Sequence, residues 1–328
     1  MLKEKIKQAR KNKNLTQKEL SEIGKIPISL IKTLEREEKI NDKVALLRII
    51  RILNLDPILI FSYLGDDYKD LKKKNQIFFS DKNSIKTIYC GSWESFYEYY
   101  FENIFEKSDK NYIWRGHKNS NWKLESTLLR EYPEGIDDVF IDLLVKKFKK
   151  STLGNKERIE IEKLITSSLS DEMLWLSLGQ HYGLKTPLLD WTTSPYVASF
   201  FAFLEKNDST PFRVLYALNK KKLKDLAELL GESIKIVEIE NHFNKRLINQ
   251  QGLFLYGPFE KDLETFILEN NIFKCNENDP ILYKFLIPES DRKKILKLLN
   301  KMNVNPKSLF PDLIGASINA NFEIEIEI

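Results

Sequence analysis

The segment that most constrains the fold is GQHYGLKTPLLDWTTSPYVASFFAFL, residues 179–204. Its first part, Gly179 to Pro195, places a histidine, two aromatic residues, an aspartate and three threonines around a pair of leucines, and its second part is almost wholly apolar. The apolar part has to be buried. Because a buried polar group without a partner is costly, the polar side chains must pair with one another or with a ligand. The chain therefore needs a substantial core with a polar cluster at its edge.

The composition is that of a soluble globular protein, since 42% of the 328 residues are hydrophobic and 30% are charged. No apolar run approaches the roughly 20 residues that span a bilayer, and the chain begins with a charged amphipathic segment rather than a signal peptide. Cys90 and Cys275 lie far apart without a CxxC pattern, which excludes a disulfide framework and a cysteine zinc site. We expect a cytoplasmic protein with no membrane contact and no metal.

Residues 1–61 form a basic unit with a helical pattern. They hold 14 Lys and Arg against 8 Asp and Glu, a net charge of +6, whereas the whole chain carries +4 and the remainder is therefore −2. The segment from Thr16 to Glu19 is a capping box that begins a second helix, Pro27 suits the first turn of a third, and Asp42 is a cap for a fourth. Short helices joined by tight turns, with excess positive charge, predict a helix-turn-helix that binds a polyanion.

The rest of the chain contains both segments with the hydrophobic period of helices and segments with that of strands. Residues 65–84 are charged and irregular, which predicts a linker. Strands are predicted for SIKTIYC, NYIWRGH, FRVLYAL and ILYKFLIP, and the tail NFEIEIEI alternates with period two, as strands do. Helices are predicted for WESFYEYYFENIF, most of residues 137–178 and DRKKILKLLNKM. The predicted fold class is α+β, with an all-α domain over residues 1–64, a linker over 65–84 and an α+β domain over 85–328.

Two of three polar clusters in the α+β part lie at predicted strands. Arg115 and Gly116 end an apolar strand, where the arginine can present its planar fork to a phosphate and the glycine lets a ligand come close; the alternative is a surface ion pair. Gln250 and Gln251 precede a glycine and an apolar strand, so alternation would send them to opposite faces.

The third cluster is the polar part of the opening segment. It begins with His181 and Tyr182, which form a candidate ligand-binding pair, and continues with Thr186, Asp190, Trp191, Thr192 and Ser194. An acid buried beside LLDW must be paired. The alternative is structural: Asp190 caps a helix that starts near Ser194 and anchors Arg115, and His181 is a half-buried residue with satisfied hydrogen bonds.

The N-terminal residues IKQARKNKNLTQKELSEIGKIPISLIKTLEREEKI resemble the phage-repressor-type (Xre) helix-turn-helix, over roughly residues 2–61. The resemblance implies that Gln17 contacts DNA and that Pro27, Ser29 and Lys32 lie on the exposed face of the recognition helix. That face has no Asn, Gln or Arg between Pro27 and Leu34, the residue types that read bases in bidentate fashion. The alternative is a helical bundle for docking a partner or for forming a homodimer.

The α+β part resembles the FRG domain through WRG, the segment that follows Gly179, and NQQGLF, with Trp114 in place of the Phe of the family motif. SLFPDLIGAS, residues 308–317, matches the closing segment of that family, so the resemblance covers about residues 85–320. The FRG domain in turn resembles ADP-ribosyltransferases. Their pattern is a strand-borne Arg or His, then a Ser, Thr or Tyr strand leading into a helix, then a late strand with Glu or Gln.

This second resemblance implies a site for NAD as substrate. Arg115 would hold the pyrophosphate, His181 and Tyr182 would clamp the ribose or stack on a ring, and Asp190 or a late glutamine would bond the ribose hydroxyls. His181 and Asp190 are the candidate bases. The other residues expected to bind NAD are Gly116, Thr186, Trp191, Thr192 and Ser194, and Gln250 and Gln251 are the late glutamines.

The expected function is an NAD-dependent ADP-ribosyltransferase that modifies nucleic acid, with a DNA base as acceptor. A helix-turn-helix would tether the enzyme to DNA and raise the local concentration of its acceptor. Such an activity suits a toxin or a phage-defence effector. Two alternatives stay open: a transcriptional regulator that senses a nucleotide-like ligand without catalysis, and an NAD glycohydrolase.

Overall fold

A computed structural model describes residues 2–37, 43–53, 55, 77–82, 84–106, 109–155, 171–206, 209–232, 234–238, 245–270 and 280–327. Asp42, the predicted cap of a fourth helix, and residues 56–64 of the predicted all-α domain lie outside these ranges.

The N-terminal unit is helical, as predicted, and contains α1 (Leu2–Asn12), α2 (Gln17–Gly24), α3 (Ile28–Glu37) and α4 (Lys43–Leu53). The capping box of α2 is present: Thr16 accepts a hydrogen bond from the Glu19 backbone, and the Glu19 side chain accepts one from the Thr16 backbone. Lys25, with a φ of 49°, ends α2 in the left-handed conformation. The helices bury one apolar stripe each, including Ile6, Leu20, Ile31, Leu34, Leu46 and Ile50.

The rest of the described chain is built on one eight-stranded sheet. Its strands are β1 (Ile77–Lys82), β2 (Ile85–Cys90), β3 (Tyr112–His117), β4 (Leu188–Thr192), β5 (Phe212–Asn219), β6 (Lys235–Val237), β7 (Gly252–Tyr256) and β8 (Leu282–Pro288). The spatial order is β1-β2-β8-β5-β3-β4-β7-β6. All neighbours are antiparallel except β2 and β8. The predicted α+β class is confirmed.

Helices cover both faces of this sheet. They are α5 (Trp93–Tyr100, extended by a π-helix over Phe101–Phe105), α6 (Thr127–Glu131), α7 (Asp138–Ser151), α8 (Asp171–His181), α9 (Pro195–Phe203), α10 (Lys220–Leu230), α11 (Lys245–Asn249), α12 (Leu263–Glu269), α13 (Arg292–Lys301), α14 (Pro306–Leu309) and α15 (Leu313–Glu327). Helices α5, α9, α13 and α15 pack on one face, and α10 and α12 on the other. Among the described helices, none is long and apolar enough to cross a membrane.

Two sequence patterns gave a wrong local structure. The predicted linker includes residues 77–82, which instead form β1 and pair with β2 along six positions. The C-terminal alternation lies mainly in helix α15. A helix buries Phe322 and Ile326, which are four residues apart, and leaves Ile324 exposed, whereas a strand would have put all three on one face.

Neighbouring strands diverge at one place in the sheet. β3 is in register with β5 over six residue pairs, and β4 with β7 over five. Between β3 and β4, both fully described, only Trp114 and Thr192 are paired. Beyond this pair the strands separate, so side chains and backbone groups at the two facing edges border an opening. This opening is the structural basis of the candidate site.

Candidate functional site

A cleft of about 540 Å³ lies where β3 and β4 separate, a volume within the range of small-molecule sites. Its walls come from β3, β4, α8, α9, α11 and the segment before α15. The residues that line it are Trp114, Arg115, Gly116, Lys118, Trp122, Ser177, Gln180, His181, Asp190, Trp191, Thr192, Ala198, Phe201, Leu204, Glu205, Arg246, Leu247, Gln250, Phe254 and Phe310. Residues far apart in sequence therefore meet at one hollow.

Arg115 lines this cleft, with one fifth of its side chain exposed. Its Nε donates a hydrogen bond to Nε2 of His117 at 3.1 Å, and Nη1 donates one to the backbone oxygen of Asp190 across the gap between the strands. Burial lowers the pKa of Arg115, an effect that Asp190 opposes, but a guanidinium remains charged at any ordinary pH. Asp190 therefore anchors Arg115, as the structural alternative predicted, and Arg115 nevertheless lines the cleft.

Gly116 lines the cleft for a reason other than the one we expected. A Cβ at this position would lie 2.0 Å from the backbone oxygen of Ala198. The missing side chain therefore lets α9 pack directly on β3, which sets the position of one cleft wall. The glycine serves helix packing first, and its access for a ligand is secondary.

Asp190 is exposed, with 65% of its side chain accessible, so the expectation of a buried acid is wrong. β4 points this carboxylate into the open cleft, where water solvates it. Its Oδ2 lies 3.7 Å from Nη1 of Arg115, and its Oδ1 accepts a hydrogen bond from Nε2 of Gln180 at 2.6 Å. It does not cap α9 either, because the Ser194 side chain accepts the hydrogen bond from the Val197 backbone.

His181 and Tyr182 do not act as a pair. His181, the last residue of α8, lines the cleft, whereas Tyr182 is 63% exposed and lies outside it. Their rings meet edge to face at 4.9 Å. Burial and the positive charge of Arg246 lower the pKa of His181, so its imidazole is neutral at pH 7.

The remaining residues of the predicted cluster divide into two groups. Trp191 and Thr192 line the cleft. Thr186 is fully buried and donates a hydrogen bond to Oε1 of Gln180, and Ser194 caps α9. Thr186 and Ser194 therefore do not line the cleft, but they stabilise the elements that form its walls.

Gln250 and Gln251 lie in the turn before β7, so strand alternation does not apply to them. Gln250 lines the cleft, and its backbone oxygen accepts a hydrogen bond from the Thr192 hydroxyl at 2.7 Å. Gln251 has a φ of 48°, and its Oε1 accepts a hydrogen bond from Thr193 outside the cleft. Of the two glutamines, Gln250 is the one that lines the cleft, and its side-chain Nε2 donates a hydrogen bond to the Leu309 backbone oxygen at 3.2 Å.

Several cleft residues were missed by sequence reasoning. Arg246 donates hydrogen bonds to Asp312 and lies 5.4 Å from the ring of Phe310. Gln180 stands one position before His181, in the segment singled out from the sequence, and holds Asp190. The exposed or partly exposed rings of Trp122, Phe201 and Phe310 form an aromatic rim. Residues 308–317 reach the cleft only through long-range packing, so the spacing of residues along the chain could not have predicted that Phe310 lines it.

The predicted DNA-binding residues lie in the N-terminal helices. Pro27, Ser29 and Lys32 are exposed at the start and along one side of α3. Gln17 is partly buried, and its Nε2 donates a hydrogen bond to Oε2 of Glu35 at 2.8 Å. Three of the four side chains are therefore available to a partner, and Gln17 is held by its neighbour.

In the described ranges, no group of three or more His, Cys, Asp or Glu side chains is placed to hold a metal ion.

Comparisons with known proteins concern mainly the part of the cleft that runs from β3 to α9. No curated protein and no solved structure matches the chain. Residues 110–210, which contain Arg115, Gln180, His181 and Asp190, match the model of the family described as the FRG domain.

Proposed function

We propose that the cleft binds NAD and transfers ADP-ribose to a nucleic acid, with a DNA base as acceptor. One observation carries this proposal. The three clusters that resemble the ADP-ribosyltransferase pattern lie on β3, on β4 leading into α9, and just before β7, and these strands are adjacent in the sheet around one opening. Their order along the chain is that of the pattern.

The charges of the cleft suit a dinucleotide. A guanidinium has five N–H donors, and the two hydrogen bonds described above leave three of those of Arg115 for a pyrophosphate. Lys118 and Arg246 also line the cleft, each paired with an acidic side chain, Glu205 and Asp312 respectively. The rings of Trp122, Phe201 and Phe310 offer faces on which nicotinamide, adenine or an acceptor base can stack.

The reaction breaks the bond between the ribose anomeric carbon and the nicotinamide nitrogen, and the electron pair leaves with nicotinamide. The ribose becomes oxocarbenium-like, and the negative charge of Asp190, held by Gln180, stabilises it. Gln250 can orient a ribose hydroxyl through its amide but cannot accept a proton. The acceptor atom bonds to the anomeric carbon and gives its proton to His181, whose neutral imidazole is a base at pH 7.

The N-terminal helices supply the tether in this proposal. Their net positive charge attracts DNA, with Pro27, Ser29 and Lys32 as the contact face. Binding there raises the local concentration of bases near the cleft. Because uncontrolled modification of DNA is toxic, we place the protein among cytoplasmic toxins or phage-defence effectors.

The test is transfer of label from NAD carrying a labelled adenine to single-stranded DNA, double-stranded DNA, RNA and protein. We expect label on single-stranded DNA above all, since a base must leave the duplex to react. The matched control is Arg115→Ala, which should lose the transfer. The absence of label on every acceptor would contradict the proposal.

The second candidate function is NAD hydrolysis, and the same experiment distinguishes it from transfer to nucleic acid. Asp190 is exposed to solvent, so water can reach the reacting carbon as the acceptor. Hydrolysis predicts nicotinamide release that is independent of added DNA. NAD binding without any nicotinamide release, together with a changed affinity for DNA, would instead identify the non-catalytic regulator.

A further inference from the structure

His117 is the residue that connects the cleft to the buried side of the sheet. It lies two positions after Arg115 on β3, so the two side chains share a face, and His117 is 6% exposed. It is not among the residues that line the cleft. Its place behind Arg115 raises the question of what a buried imidazole does there.

The hydrogen bond between the two side chains fixes the chemistry of the imidazole. The Nε of arginine always carries a proton and is only a donor. Nε2 of His117, 3.1 Å away, must therefore be the acceptor and carry no proton. The imidazole is thus neutral, with its proton on Nδ1.

His117 is packed between two aromatic rings, and its buried Nδ1 has no hydrogen-bond partner in the described chain. Its ring packs edge to face on Tyr216 at 5.3 Å and on Trp122 at 6.0 Å. Tyr216 is fully buried, and its hydroxyl donates a hydrogen bond to Glu264 of α12 at 2.8 Å. Lys284 of β8 donates to both oxygens of Glu264 at 3.0 and 2.9 Å. The imidazole consequently has a defined plane.

We propose that His117 is a positioning residue that orients the guanidinium of Arg115 toward the ligand. A planar guanidinium held at Nε by His117 and at Nη1 by the Asp190 backbone has little freedom to rotate, so its remaining N–H donors face the cleft. His117 touches no substrate and acts only through Arg115. This inference rests on the proposed function for the identity of the ligand, NAD.

Two substitutions separate the acceptor from the bulk of the side chain. His117→Gln keeps an acceptor near the position of Nε2, whereas His117→Leu has similar size without one. We expect His117→Leu to raise the Kd for NAD about tenfold, since a hydrogen bond to a charged group is lost, and His117→Gln to recover most of that loss. Thermal unfolding of both variants checks that they fold.

A double-mutant cycle with Arg115→Ala shows whether His117 acts through Arg115. When Arg115 is absent, His117→Leu should change the Kd less than about twofold, because the group that it positions is gone. An equal loss in both backgrounds would mean that His117 acts on the structure at large, and the proposal would be overturned. So would a His117→Gln variant as weak as His117→Leu.

A ligand-free measurement keeps this inference separate from the proposed function. The ¹⁵N NMR spectrum of the full chain should show Nε2 of His117 without a proton and its resonance shifted in Arg115→Ala. A protonated Nε2 would overturn the positioning role whatever NAD does. If the NMR result holds and NAD does not bind, the proposed function fails alone, and inorganic pyrophosphate becomes the probe in the cycle. The positioning role is then supported by coupled pyrophosphate binding and overturned by its absence.

Discussion

Two largely buried arginines, Arg10 in the N-terminal helices and Arg115 in the cleft, are surrounded by different partners. Arg10 donates from Nε and Nη2 to the two oxygens of Glu35 at 2.6 and 2.9 Å and from Nη1 to the Leu15 backbone. Arg115 donates to a neutral imidazole and a backbone oxygen, and its one carboxylate neighbour in the described chain is an exposed group at 3.7 Å. The first charge is paired with a buried carboxylate, and the second only with an exposed carboxylate at longer distance.

The pKa values of the two side chains shift in opposite directions for this reason. The hydrogen bond to Glu35 raises the pKa of Arg10, whereas burial lowers that of Arg115. Two further buried arginines also have a carboxylate partner, since Arg213 pairs with Glu289 and Arg292 with Glu325. A largely buried arginine without a buried carboxylate partner is a candidate for binding an anion. The comparison assigns Arg10 to the fold and supports the proposed role of Arg115 in binding a ligand.

The largest expected effect comes from removing Arg115. Arg115→Ala should lower kcat/KM for transfer roughly 100- to 1,000-fold, the usual cost of losing a charged group that contacts the reacting ligand. The melting temperature should change little, because no buried carboxylate loses its partner. Arg115→Lys should not restore activity, since an ammonium cannot donate in two directions from one plane. Label transfer and thermal unfolding measure the two effects, and normal transfer by Arg115→Ala would contradict the comparison.

Removing Arg10 should give the opposite result. Arg10→Ala leaves Glu35, whose side chain is 5% exposed, without its partner and should cost about 3 kcal/mol of unfolding free energy. Nicotinamide release from NAD by the folded protein should stay unchanged. Urea unfolding followed by circular dichroism gives the first number. Arg36→Ala, which breaks an exposed pair with Glu37, is the matched control and should change stability little.

Gly116→Ala tests whether the close packing of α9 on β3 is needed to form the cleft beside Arg115. Its Cβ would meet the Ala198 oxygen, so α9 must move away from β3, at a cost of about 2 kcal/mol together with a displaced cleft wall. Gly154→Ala is the control: it has open space but a φ of 91°, and should cost about 1 kcal/mol of strain alone. Equal losses of NAD binding in the two variants would remove the special role of Gly116.

The smallest expected effect is the acid response of Glu35. Burial opposes its ionisation, but hydrogen bonds from Arg10 and Gln17 outweigh burial and lower its pKa. A carboxyl whose folded pKa is lowered stabilises the protein above its unfolded pKa and loses that stabilisation as the pH falls through the folded pKa. Urea unfolding between pH 6 and pH 3 should therefore show a steeper loss for the parent than for Glu35→Gln. Parallel curves would contradict this.

Local sequence patterns predicted much of the fold. The capping box at Thr16 and the apolar strand that carries Arg115 both form as expected, because capping and alternation depend on neighbours in the chain. The C-terminal segment was mispredicted because the tertiary packing of Phe322 and Ile326 selects a helix over an alternating strand. β1 was missed because the charged residues around it made the whole segment resemble a linker, although Ile77, Phe78 and Phe79 are residue types that favour strands.

The candidate site was predictable only where a short motif singles out a residue. Arg115, His181, Asp190 and Gln250 were found from their residue types and do line one cleft. Tyr182 and Gln251 were also chosen, but a turn sends each away from the cleft. Arg246 carries no local signal, because its role depends on Phe310 and Asp312 being brought beside it by the fold. His117 does carry one, since strand alternation puts it on the same face as Arg115 two positions earlier, but it was not singled out.

The structure of the protein with NAD bound tests the central claim most directly. The account predicts that the pyrophosphate accepts hydrogen bonds from Arg115, with the nicotinamide ribose between Asp190 and Gln250 in the gap between β3 and β4. NAD bound elsewhere, or in the cleft with its phosphates away from Arg115, would contradict it.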